Sequence, residues 1–122
     1  MTEAPKPLVW IKPSKQEFKA FPRAVQRVLG HALDRVQHGM KPAQAKPLKG
    51  FKGAGVLELV EDHDGKTFRA IYTVRLAGRA YMLHAFQKKS KKGIKTPKHV
   101  IDLIRARLKE AERVHAKWEG QK

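Results

Sequence analysis

The sequence predicts an α+β domain: an antiparallel sheet, built from an N-terminal strand and a three-stranded meander, packed against an N-terminal helical hairpin region and a C-terminal helix. Three observations carry this. Apolar residues at Phe18, Phe21, Val25, Val28, Leu29, Ala32 and Val36 recur in steps of three and four, which marks one face of a helix. Between Val56 and Lys88 the apolar period drops to two, with breaks at Asp64-Gly65 and Gly78, as in strands joined by tight turns. A second helical stripe, Ile101, Ile104, Leu108, Ala111 and Trp118, follows Pro97. The order of elements implies helices on one sheet face and leaves the other face open. The 122 residues suit one domain, 1–122, with 1–7 and 119–122 as loose tails.

Leu8-Val9-Trp10-Ile11 is a short β-prone run ended by Lys12-Pro13. Ser14-Lys15-Gln16-Glu17 fits a capping box, in which the hydroxyl accepts from the first turn and the carboxylate reaches back. Pro22 divides the helical pattern into one short turn and a main helix, and Gly39 sits where that helix stops. Residues 40–55 contain Pro42, Pro47, Gly50, Gly53 and Gly55 and read as a loop made basic by Lys41, Lys46, Lys49 and Lys52. Strands are expected over Val56–Glu61, Lys66–Leu76 and Arg79–Lys88. On the middle one Phe68, Ala70, Tyr72 and Val74 share one side, and Thr67, Arg69, Ile71, Thr73 and Arg75 the other. Thr96 is placed to cap the last helix, with Pro97 as its first residue.

Charge speaks to partners rather than to fold. Lys and Arg number 27 against 11 Asp and Glu, a net charge of +16. Nucleic acid is the leading polyanion, ahead of an anionic membrane surface and an acidic protein. The absence of cysteine excludes disulfides, thiol nucleophiles and Cys-type zinc sites. MTEAPKPLVW is no secretory signal, and no run approaches the ~20 apolar residues of a membrane span. A soluble, cytoplasmic protein is expected. No phosphate loop, zinc-finger spacing or nucleophile elbow is present, and Asp34 and His38 form only a weak pair, so no metal or cofactor is expected.

The densest charge lies where the last strand ends: Lys88, Lys89, Lys91, Lys92 and Lys95. Arg69 and Arg75, on the polar side of the middle strand, are expected to border this cluster and form a cationic concavity, with Lys46, Lys49 and Lys52 extending it. Alternation puts His84 beside Phe86 and Lys88. His84 is either a structural histidine or an acid–base group. Phe86 either fills core or stacks on a base. Glu58, in Val56-Leu57-Glu58-Leu59-Val60, is either a general base or a partner for Arg69. Residue chemistry alone thus reaches a small basic domain that binds nucleic acid and has candidate ribonuclease groups.

Leu48-Lys49-Gly50, Glu58-Leu59, Phe68-Arg69-Ala70-Ile71-Tyr72 and His84-Ala85-Phe86-Gln87-Lys88-Lys89-Ser90, followed by Thr96-Pro97, occur in an order that resembles the phage-derived Gp49-like group. That group belongs with the HigB and RelE/ParE toxins, and the resemblance spans residues 8 to about 118. It implies a RelE-like fold, with a curved antiparallel sheet, and the toxin of a type II toxin–antitoxin system, a ribosome-dependent mRNA endoribonuclease that inhibits translation. It implies metal-independent attack of a ribose 2′-hydroxyl on the adjacent phosphate. Arg69 matches the phosphate-stabilising strand arginine, Lys88-Lys89 the basic pair closing the last strand, and Glu58 a catalytic position. His84 is a candidate for the proton carrier, since SKKGIKTP has no base-stacking aromatic such as some relatives carry. The implied partners are a helix-turn-helix antitoxin and mRNA on the ribosome. The ParE branch, which poisons DNA gyrase, is the alternative, and a non-catalytic nucleic-acid-binding module the third.

Overall fold

The computed structural model describes residues 4–51, 53–88 and 96–121. Their elements are β1 (Leu8–Trp10), α1 (Ser14–Lys19), α2 (Arg23–Gln37), β2 (Ala45–Pro47), β3 (Val56–His63), β4 (Lys66–Thr73), β5 (Ala80–Lys88) and α3 (Lys98–Gly120). The strands form one mixed sheet in the order β1-β5-β4-β3-β2. The meander forms, with β3 running two residues past the expected Glu61 and β4 ending at Thr73 rather than Leu76, and Asp64 (φ 53°) and Gly65 (φ 76°) make its first turn in the left-handed conformations that a two-residue hairpin requires.

The sheet departs from the sequence expectation in three ways. β1 pairs with β5 in parallel, Leu8 against Ala80 and Trp10 against Met82, so the sheet is not wholly antiparallel. This direction carries the chain out of β1 along the β5 edge toward Lys88, where α1 takes over the cover. Within the segment read as a loop, Ala45–Pro47 forms β2 and pairs with Leu57–Leu59. Pro47 is tolerated there because β2 is an edge strand. Finally, both faces are covered.

Phe18, Phe21, Val25, Leu29 and Leu33 pack with Leu59, Phe68, Tyr72 and Met82 on one face. Ile104, Leu108 and Ala111 of α3, with Leu48 and Phe51, pack on Ile71, Tyr81 and Leu83 on the other. The side of β4 taken as polar includes Ile71 and Thr73, both fully buried, and an apolar stripe on α3 needs such a partner. A bulge helps to build this second face. Ile71 pairs with His84 and Tyr72 with Met82, leaving Leu83 as the extra residue. Leu83 and His84 thereby both turn toward α3.

Local signals were diverted in three places. The expected capping box does not form, and α1 has no side-chain cap. The Ser14 hydroxyl instead donates to the Met82 carbonyl (3.2 Å), and Glu17 reaches β5. Thr96 does not cap α3, which begins at Lys98. Near the termini, where loose tails are expected, the Lys6 amide donates to Gln37 O, the Ala80 amide donates to Pro7 O, and α3 continues through Gly120.

Candidate nucleic-acid interface

Strand register brings four charged side chains into one diagonal row on the α3 face. Lys46 of β2 lies opposite Glu58 of β3, and Glu58 lies opposite Ile71. Arg69, two residues back on β4, is thus the diagonal neighbour of Glu58. Arg69 lies opposite Phe86, and Lys88 is diagonal to it. Three positive charges therefore share one carboxylate.

The row is largely withdrawn from water. Glu58 is 4% and Lys88 8% exposed, while Lys46 is exposed and marks the solvent side. Arg69 Nη1 donates to Glu58 Oε1. Arg69 Nε is buried and makes no hydrogen bond among the described residues. Burial pushes the Lys88 ammonium below its ordinary pKa, the Arg69 and Lys46 charges add to this, and Glu58 opposes it. A buried cation beside another cation carries a desolvation cost that one shared carboxylate does not offset. An anion at this row would lower it.

A second charged group lies beside the first. Glu17 of α1 accepts two bonds from Arg107 of α3 (2.7 and 2.9 Å) and one from the Ala85 amide (3.2 Å). Its Oε1 lies 2.8 Å from His84 Nδ1. Arg107 also donates to the Leu83 carbonyl (3.0 Å). The bonds satisfy the edge of β5 beyond the point where β1 ends. Burial raises the Glu17 pKa, but Arg107 and His84 outweigh it and hold the carboxyl below its ordinary range. Burial pushes His84 below its ordinary value, with Arg107 adding and Glu17 opposing. The His84 ring stacks on Phe86, with centroids 4.9 Å apart and planes at 19°.

The candidates thus separate. Glu58, Arg69, Lys88 and Lys46 come together, with Phe86 beneath them and His84 adjoining. Lys49 is exposed in the turn after β2, whose Phe51 lies under the Arg105 guanidinium (4.7 Å). Arg105 adds a cation that the sequence reading did not single out. Arg75 does not border the row. Thr67 pairs with Lys88 and Thr73 with Tyr81, so Arg75 lies past the opposite end of β4, where it pairs with Glu112 (2.7 Å). Strand alternation gave its side but not its distance. Lys52, Lys89, Lys91, Lys92 and Lys95 lie outside the described residues. Glu17 and Arg107 adjoin the site without a functional signal in the sequence. Their only sequence signal is a helix-start motif and a charge on an amphipathic helix.

Among the described residues no three His, Asp or Glu side chains group as metal ligands, and no helix is long and apolar enough to cross a membrane. The family model described as phage derived protein Gp49-like (DUF891) matches residues 16–109, which include Glu17, the whole charged row and Arg107. No curated protein and no solved structure matches the chain.

Proposed function

The chain belongs to the phage-derived Gp49-like family, and from that premise we propose that it is the toxin of a toxin–antitoxin pair and acts as a ribosome-dependent endoribonuclease on mRNA. The observation that carries this reading is the Lys46–Glu58–Arg69–Lys88 row, a part-buried cationic site with one carboxylate and a guanidinium N–H that has no partner among the described residues. A phosphate in a strand of RNA is the anion that suits it.

The chemistry assigned to the row is transfer of a phosphodiester to the neighbouring 2′-oxygen. His84 takes the 2′-hydroxyl proton as the 2′-O–P bond forms. Arg69 and Lys88 stabilise the extra negative charge on phosphorus oxygens. The P–O5′ bond breaks, and the Lys88 ammonium gives a proton to the departing 5′-oxygen. A 2′,3′-cyclic phosphate and a 5′-hydroxyl result, and exchange with water resets both groups. Glu58, already bound by Arg69, orients that guanidinium and is a poor choice for the base. The partner proposed is an acidic segment of a helix-turn-helix antitoxin, laid over the same positive surface.

RNA ends mapped shortly after induction test the reading. Cuts inside translated codons, carrying 2′,3′-cyclic phosphates, are expected. Intact message with loss of DNA supercoiling would transfer the protein to gyrase poisoning. Binding to ribosomes should also weaken with salt by roughly 0.7–0.9 log units per log unit of salt for each phosphate neutralised.

A further inference from the structure

We propose that Glu17 and Arg107 are positioning residues that hold His84 as the tautomer with its proton on Nδ1, leaving Nε2 as the base. The proposal rests on the endoribonuclease reading for the reaction it serves, and on the Glu17–His84–Arg107 geometry for everything else.

Proton placement follows from the contacts. Nδ1 lies 2.8 Å from a carboxylate oxygen, where a lone pair on nitrogen would be repelled and an N–H is stabilised. Arg107 Nη1 is also 3.1 Å from Nδ1. With both nitrogens protonated that approach is a packing contact, and the Nη1 protons go to Glu17 Oε1 and the Leu83 carbonyl. The carboxylate cannot turn away. Both its oxygens are taken by the guanidinium fork, and Oε1 also accepts the Ala85 amide beside the histidine.

Ring orientation is fixed independently. Phe86 lies against one face of the imidazole and is itself the cross-strand partner of Arg69. The groups facing His84 are thus the Glu17 carboxylate from α1, the Arg107 guanidinium from α3, Phe86 on its own strand and Ile71 across from it. Burial and Arg107 favour the neutral ring and Glu17 the charged one, with the balance below the ordinary histidine value. A ring neutral at neutral pH, with one defined basic nitrogen one row from the phosphate-binding cations, is what proton abstraction needs. Three elements far apart in sequence converge to make it so. A histidine serving only as core filling needs no carboxylate held by a two-pronged arginine.

The test uses the full chain labelled with ¹⁵N-histidine and the purified protein on programmed ribosomes. The expected ring shifts of His84 at neutral pH are those of a protonated Nδ1 and a bare Nε2. The reverse tautomer overturns the proposal whatever the protein cleaves. In single-turnover cleavage, Glu17→Gln should lower the saturated rate by about 10²-fold, leave ribosome affinity unchanged, and move the acidic limb of the pH–rate profile to lower pH, because the carboxylate that favours the imidazolium is gone. His84→Ala should remove that limb. An unshifted limb and a wild-type rate in Glu17→Gln overturn the proposal while the ribonuclease reading stands. Wild-type protein that cleaves no RNA removes the reading and the proton-transfer role with it. Should Glu17→Gln not fold, the wild-type tautomer decides.

Discussion

Two charged groups share the α3 face of one sheet and are built to opposite specifications. Glu17 is engaged by Arg107, His84 and a backbone amide, so the single carboxylate meets a single guanidinium, and both carboxylate oxygens and both Nη nitrogens of the pair have partners. Glu58 faces Arg69, Lys88 and Lys46 together, and Arg69 Nε has no partner among the described residues. The first arrangement fixes the backbone of β5. The second spreads excess positive charge across β2, β4 and β5, with its carboxylate on β3. Buried charge that is balanced stabilises geometry, and buried charge left unbalanced is a site waiting for a ligand.

The largest expected effect comes from neutralising the unbalanced group as a pair. Arg69→Gln with Glu58→Gln removes both charges, so no lone carboxylate stays buried and the fold should persist by circular dichroism. Cleavage should fall by about 10²–10³-fold. Persistence of growth arrest at equal expression would show that the row is not the reacting site. By contrast, Arg107→Leu strips the balanced group of its cation, and the half-buried Glu17 is then left beside a neutral histidine. Unfolding free energy should drop by on the order of 2 kcal/mol, read from urea denaturation.

The pH dependence of the balanced group has a definite sign. Folded His84 and Glu17 both have pKa values below their ordinary 6.5 and 4.5. Over those ranges the unfolded chain binds more protons than the folded one. Stability is therefore full above pH 6.5, declines as pH falls through the His84 range, and declines again below 4.5. A denaturation midpoint that is flat from pH 7 to 5 would show that His84 is not depressed.

Smaller again is Lys88→Met. The folded ammonium has a pKa below its ordinary 10.5, so at neutral pH folding works against this proton. Replacement should raise the urea midpoint slightly while activity is lost, an inverse relation expected only in the unbalanced group. Least of all is Arg75→Gln. Its pair with Glu112 is exposed, so stability should change by less than ~1 kcal/mol, and the salt dependence of ribosome binding should not change.

What the sequence conveyed follows the range of its signals. The Asp64-Gly65 turn, the alternation along β4 and the two helical stripes depend on neighbours within a few residues, and they match the structure except at Val28, which is exposed. From alternation alone Arg69, Glu58 and Lys88 could be put on one side, and the hairpin could bring Glu58 near Arg69. Ser14 and Glu17 depart from their local signal for the complementary reason. Their spacing satisfies a local motif, while their actual partners, Met82, His84 and Arg107, lie 67 to 90 positions away. Parallel pairing of β1 and the covering of the second face are likewise decided by distant residues. Arg75 shows the same limit in one strand: its side was legible, and its separation from Lys88 required the register.

The β1–β5 pairing sets an order of events during folding. The β3–β4 hairpin closes over a two-residue turn, and such hairpins form in microseconds. Leu8 must find Ala80, and Glu17 must find Arg107 across 90 positions, encounters with a much larger loop-closure cost. The hairpin that carries Glu58 and Arg69 therefore forms early, and the clamp on His84 forms last, once α3 docks. The orientation of the imidazole thus depends on the docking of α3, whereas the pairing of Glu58 with Arg69 needs only the hairpin.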